Sequence, residues 1–185
     1  MPRTYRNALL ALIAGAALLL LGYSMPWASV DIPIVSGGPA SSEVELSGSS
    51  IAPLASVAGW LAAAGLAGII ATRTWGRVVI GAIVTLAGAG SALAVGWFAV
   101  ASAGLVQAAA ESYAGETLAR PLAYSMTWWW IPSLIGSLLV LAGGLLTCIR
   151  GRTWPGLGRK YDRANPRQLT AWQALDEGQD PTLDK

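Results

Sequence analysis

The chain has 185 residues, of which 54% are hydrophobic and 12% charged, with a formal net charge of +2. A soluble domain carries about 25% charged residues, so an ordinary soluble globular protein is excluded. There is no histidine and one cysteine, Cys148, which excludes an internal disulfide, a cysteine metal cage and any Cys/His or Ser/His/Asp catalytic group.

Four runs, 7–30, 54–72, 78–110 and 121–149, contain no charged residue, and each is at least 19 residues long. About 20 apolar residues in a helix cross the ~30 Å hydrocarbon core. Lipid offers the backbone no hydrogen-bond partner, so each run is predicted to be helical.

The first predicted helix spans about 7–23, after Arg3 and Arg6. Those arginines and the apolar stretch Ala8 to Leu21 resemble a signal peptide, but Ser24 to Ser29 offers no clean small-x-small cleavage site, so the segment reads as a retained anchor. Tyr23 and Trp27 suit an aromatic belt, and Pro26 stops the helix. In loop 24–53, Val30 to Ile32 and Glu43 to Leu46 alternate polar and apolar around Ser36–Gly37–Gly38–Pro39. That pattern predicts a small hairpin over the mouth of the bundle.

The second helix covers about 54–72, with Pro53 in its first turn. Arg73–Thr74–Trp75–Gly76–Arg77 makes a tight turn into the third, about 77–101. Gln107 to Glu111 favours helix, so the third is expected to project into loop 102–126. The fourth, about 127–149, opens on Trp128, Trp129 and Trp130, with Pro132 tolerated in its first turns. The tail, 151–185, starts basic. Asn165–Pro166 then resembles an N-cap with proline at N1. A short helix over 166–177 follows, and its narrow stripe of Leu169, Trp172 and Leu175 needs a partner surface.

The predicted fold is therefore an all-α integral membrane protein. Residues 1–150 form a four-transmembrane-helix bundle with a small extracytoplasmic β-hairpin, and residues 151–185 a cytoplasmic tail with a short C-terminal helix. With four crossings, eleven of the twelve basic residues share one side, and Arg120 faces Asp31, Glu43, Glu45, Glu111 and Glu116 on the other. The positive-inside rule then puts both termini in the cytoplasm of a bacterial plasma-membrane protein. Helix contacts in lipid rest on close approach of small residues. These are supplied by Gly59, Ala63, Gly65, Ala67 and Gly68 in the second helix, by Gly81, Thr85, Gly88 and Ala92 in the third, and by Gly136, Ser137, Gly143 and Gly144 in the fourth.

No ionisable residue lies within a predicted spanning core, which argues against a proton or ion pathway. Of nine tryptophans, interfacial anchoring accounts for Trp27, Trp75, Trp97, Trp128, Trp129, Trp130 and Trp154. A sharper reading makes Arg120, Trp128, Trp129 and Trp130 the mouth of a site for an anionic aromatic ligand, held by stacking and a carboxylate pair. Against it, Arg120 has Glu111, Glu116 and the first loop's acids as ion-pair partners. No catalytic, metal or cofactor-binding pattern occurs, and no enzyme activity or cofactor is expected. The basic tail abuts a membrane helix, so the lipid bilayer is its expected partner, with no role for nucleic acid.

Trp27, Arg120–Pro121 leading into Met126–Thr127–Trp128–Trp129–Trp130, the basic segment after the fourth helix, and Trp172–Gln173–Ala174–Leu175–Asp176–Glu177–Gly178–Gln179–Asp180–Pro181–Thr182 form one pattern. It resembles the actinobacterial tryptophan-associated (tryptophan biosynthesis-associated) transmembrane proteins. The resemblance implies a plasma-membrane location and an association with tryptophan biosynthesis, and brings no functional residues. The expectation is a non-enzymatic accessory or regulatory protein whose tail docks a membrane or cytoplasmic protein partner. The alternative is a transporter, or a transporter subunit, for tryptophan, indole or a related aromatic solute.

Overall fold

The computed structural model describes residues 3–33, 41–114 and 123–154. The chain divides into two units, Met1–Trp154 and Pro155–Lys185. The expected tail helix with Leu169, Trp172 and Leu175, the turn at 36–39, and Arg120 lie outside the described residues.

In chain order the elements are helix α1 (Arg3–Ser24), strands β1 (Pro26–Pro33) and β2 (Ser41–Ser47), the one-turn helix α2 (Gly48–Ile51), helices α3 (Pro53–Ala71) and α4 (Trp75–Ala114), strand β3 (Tyr124–Met126) and helix α5 (Trp130–Arg150). A 3-10 turn, Gly151–Thr153, closes the series. The segments α1, α3, α4 and α5 with its 3-10 turn are each long and apolar enough to cross a membrane. The 19 residues of α3 rise about 28 Å, close to the thickness of the hydrocarbon core.

The four long helices form a ring in which α5 packs against α1 and α4, and α3 closes the other side against the same two. α1 buries Tyr5, Ala8, Leu12, Ala16, Leu19 and Tyr23, a helical stripe, toward its neighbours. Close approach governs the α5 seams. A Cβ added to Gly136 would stand 2.9 Å from the Gly15 carbonyl of α1, and one added to Gly88 of α4 would stand 2.6 Å from the Leu141 nitrogen of α5. Small residues permit this backbone contact where lipid removes hydrophobic burial as a driving force. Gly81, Gly88, Gly136, Gly143 and Gly144 all meet a neighbouring helix.

The hairpin expected in the first loop is present, and it carries a third strand. β1 is central, antiparallel to both β2 and β3. The third pairing sets Ala28 opposite Met126 and Val30 opposite Tyr124, and Thr127 N–H donates to the Trp27 carbonyl at 2.9 Å. Residues 127–129, expected to open the last helix, therefore belong to the strand exit and a turn, and α5 begins at Trp130. β1 follows the two-residue period: Ala28 and Val30 are buried, Asp31 exposed.

The third long helix was expected to end near Ala101 or run on into the loop. α4 continues to Ala114, with non-helical backbone at Ala101 (φ −122°, ψ 34°). Beyond that break Val106, Ala109 and Ala110 are buried. The Ser102 hydroxyl lies 3.0 Å from the Tyr124 hydroxyl of β3, which ties the resumed helix to the sheet.

The ring has two unlike ends. The sheet end joins α1 to α3 and bears Asp31, Glu43 and Glu45. The arginine end holds Arg3 and Arg6 of α1, Arg73 and Arg77 around the α3–α4 turn, Arg150 at the end of α5 and Arg152 just after it.

Candidate functional site

The predicted aromatic mouth is only partly assembled. Trp128 and Trp129 are exposed in the turn before α5, and Trp130 packs against the core. Arg120 lies outside the described residues, so the structure brings no cation to these rings among the residues it describes.

Two tryptophans expected at the interface are instead interior. Trp27 is 0% exposed. Its Nε1–H donates to the Gly22 carbonyl at 2.8 Å, and its ring lies 5.0 Å from Tyr23 and 4.9 Å from Phe98. Gly48 closes over it, since a Cβ there would stand 2.4 Å from the indole ring. The physical reason is the sheet: β1 is central, so its inward side chains plug the bundle and do not reach lipid. Trp154 is likewise buried, edge-on to Tyr5 at 5.1 Å, with Nε1–H donating to the Thr4 hydroxyl at 3.2 Å.

Below the Trp27 plug a chain of hydroxyls crosses the bundle. Tyr23 Oη of α1 is 3.0 Å from Ser91 Oγ of α4, and Ser91 Oγ is 2.9 Å from Ser137 Oγ of α5. Ser137 donates to the Ser133 carbonyl at 2.7 Å. That last bond fixes the proton order, because each hydroxyl has one proton to give. Ser137 spends its proton on the carbonyl, so Ser91 donates to Ser137 and Tyr23 donates to Ser91. The hydroxyl of Ser133 is buried and has no partner among the described residues, facing Gly22 across the α1–α5 seam.

The same Ser91 forms part of the wall of a crevice between α3 and α4, 280 Å³ in volume. Leu54, Ala58 and Leu61 line it from α3, and Ala87, Gly90 and Ser91 from α4. A second cavity, 420 Å³, lies at the break in α4 and is lined by Trp97, Val100, Ala101, Ser102, Leu105 and Tyr124.

At the arginine end one cation is interior. Arg77 is 1% exposed. Its Nε–H donates to the Ile69 carbonyl at 3.0 Å and Nη1 to the Trp154 carbonyl at 3.1 Å. The guanidinium also lies 5.7 Å from the centre of the Tyr5 ring. The described carboxylates, Asp31, Glu43, Glu45 and Glu111, sit on the sheet and in the last turns of α4. Backbone carbonyls and an aromatic face therefore compensate this charge, with a planar fork suited to several acceptors at once. Arg152 makes a second such contact, 3.7 Å from the centre of the exposed Trp75 ring.

Sequence reasoning expected Arg77 to be a turn residue and missed the hydroxyl chain. Ser91 did carry a signal, a lone hydroxyl among glycine and alanine within an apolar run, whereas Ser137 sits among leucines four residues after Ser133 and reads only as a small packing residue. Nothing in the sequence distinguished Arg77 from Arg73. Among the described residues no cluster of three His, Cys, Asp or Glu side chains could hold a metal ion.

The matched family accords with this architecture. The model of the tryptophan-associated transmembrane protein family matches residues 9–182, which takes in most of α1, the sheet, the other three long helices and most of the tail. No curated protein matches the chain. The chain belongs to the tryptophan-associated transmembrane protein family, and it is a multi-pass membrane protein.

Proposed function

We propose that this family member is a non-enzymatic accessory protein of tryptophan biosynthesis in the bacterial plasma membrane, one that carries no solute along its own axis. The observation that carries this reading is the direct contact of hydroxyls across the bundle. Tyr23, Ser91 and Ser137 link α1, α4 and α5 at 3.0 and 2.9 Å, under a plug of Trp27 and Phe98. A zwitterionic amino acid crossing there would have to break that chain with no charged partner along the way.

The orientation follows from charge. Arg3, Arg6, Arg73, Arg150 and Arg152 gather at one end and Asp31, Glu43 and Glu45 at the other. The positive-inside rule supports cytoplasmic termini and an extracytoplasmic sheet. The tail then lies in the cytoplasm, where its basic stretch meets anionic lipid and Leu169, Trp172 and Leu175 dock a protein of the biosynthetic machinery.

A deletion strain and its complemented parent test the reading. Synthesis of tryptophan from a labelled precursor should change on deletion, while the initial rates of labelled tryptophan uptake and efflux stay the same. Altered flux with unaltered synthesis would overturn it.

A second reading, a transporter or transporter subunit for tryptophan, indole or a related solute, is favoured by one observation. The break at Ala101 lines a cavity with Trp97 and Tyr124, and interrupted helices beside cavities are typical of solute sites in transporters. In that reading Arg120, Trp128, Trp129 and Trp130 form the entrance.

A further inference from the structure

We propose that Arg152 stacked on Trp75, with Arg73 and Arg150 two residues away from them in sequence, forms a binding site for the phosphate headgroup of an anionic membrane lipid. It gives a place to one element of the reading above, the attraction between the basic stretch after α5 and anionic lipid, and rests on that element alone. The accessory role in tryptophan synthesis holds or fails apart from it.

The site is built by the packing beneath it. Arg77, in the first turn of α4, donates to the Trp154 carbonyl at 3.1 Å. A Cβ added to Gly151 would stand 3.2 Å from the Arg77 Cβ. These two contacts hold residues 151–154 on the start of α4. Arg152, between them, is thereby set over the face of the Trp75 ring, its guanidinium carbon 3.7 Å from the ring centre. A guanidinium carries five N–H donors around its edge, and those of Arg152 make no hydrogen bond among the described residues. Stacking therefore orders the side chain and leaves open the donor fork that fits a phosphate bidentately. Less side-chain freedom is then lost when a ligand arrives.

Charge names the occupant. Arg73, Arg150 and Arg152 are exposed, and the described carboxylates lie on the sheet and in the last turns of α4, at the other end of the ring. Among the described residues nothing anionic offsets these cations, so they raise a positive potential that gathers anions. Two features favour a lipid over a soluble phosphate. Trp75 is an exposed aromatic of the kind that sits at headgroup level. Val79 and Ile83 follow it at four-residue steps along α4, both exposed, which gives an acyl chain an apolar strip to lie on. A zwitterionic lipid brings its own cation to the same place, where the arginines repel it.

Native mass spectrometry of the full chain in detergent, titrated with phosphatidylglycerol or phosphatidylcholine, tests the site. Phosphatidylglycerol should bind at least about fivefold more tightly than phosphatidylcholine, the worth of one basic residue at a membrane surface. Arg152→Gln should erase most of that preference and leave phosphatidylcholine binding as it was. Trp75→Leu keeps every charge and frees Arg152 from the ring, and it should weaken phosphatidylglycerol binding about two- to fivefold. Both side chains are exposed, so both variants should keep the parent's melting temperature. An excess of soluble glycerol phosphate should leave the bound lipid in place. Equal affinity for the two lipids, full phosphatidylglycerol affinity in Arg152→Gln or in Trp75→Leu, or displacement by glycerol phosphate would each overturn the proposal.

Discussion

Arg77 Nε–H donates to the carbonyl of Ile69 at 3.0 Å, joining the first turn of α4 to the last turn of α3. The last four carbonyls of a helix have no partner within it and carry the negative end of its dipole. The guanidinium fills that need and bonds the Trp154 carbonyl as well. Arg77→Leu removes both bonds and leaves buried carbonyls unpaired, which should cost about 3 kcal/mol. Arg77→Lys keeps the charge and loses the fork, so it should fall between the two. Chemical unfolding in detergent micelles measures both. A Lys variant as stable as the parent would show that charge alone holds this end together.

The hydroxyl chain makes a second prediction. Tyr23→Phe and Ser91→Ala each break the same contact, so their costs should not add. A double-mutant cycle should give a coupling of about 0.6 kcal/mol, the average for hydrogen bonds between membrane helices, and no more than about 1.7. Additive costs would mean that the 3.0 Å contact contributes nothing to holding α1 against α4.

Glycines on one helix should respond in opposite ways. Gly88 meets the α5 backbone at 2.6 Å when given a Cβ, while Gly96 meets nothing within 4 Å. Gly88→Leu forces α4 from α5 and should abolish recovery of folded protein. Gly96→Ala faces open space and should be neutral or stabilising, by up to about 1 kcal/mol from helix propensity. Size-exclusion profiles and melting curves of the two variants decide the matter.

The proposed orientation is open to chemical labelling. In a Cys148→Ser background, Glu45→Cys on the exposed face of β2 should react with a membrane-impermeant maleimide added to intact cells whose outer layers admit it. Arg152→Cys should react only after permeabilisation. The reverse pattern would invert the orientation.

Much of the scaffold was legible because lipid imposes one simple demand. A run of about 20 residues without charge must pair its own backbone, and α1, α3, α4 and α5 fall on such runs. The alternation around Val30 and Val44 likewise gave the hairpin. β3 escaped notice because three residues, Tyr124 to Met126, are too few to show a period, and its pairing with β1 is nearly 100 residues distant in sequence. That missed strand also misplaced Trp27, whose burial follows from β1 being central. Arg77 was illegible for another reason. Its charge is accommodated by carbonyls of Ile69 and Trp154, and backbone acceptors leave no mark in a sequence. The hydroxyl chain was not foreseen: Ser137 was read only as a small packing residue, and only the helix ring brings it within 2.9 Å of Ser91.

The central claim is that the bundle is closed across its axis and moves no amino acid through it. Uptake of radiolabelled tryptophan into proteoliposomes of the purified full-length chain, driven by an outward gradient of unlabelled tryptophan, tests it most directly. The account predicts a rate equal to that of protein-free liposomes. Saturable uptake above that background, abolished by a bulky substitution at the Tyr23–Ser91–Ser137 crossing, would contradict it.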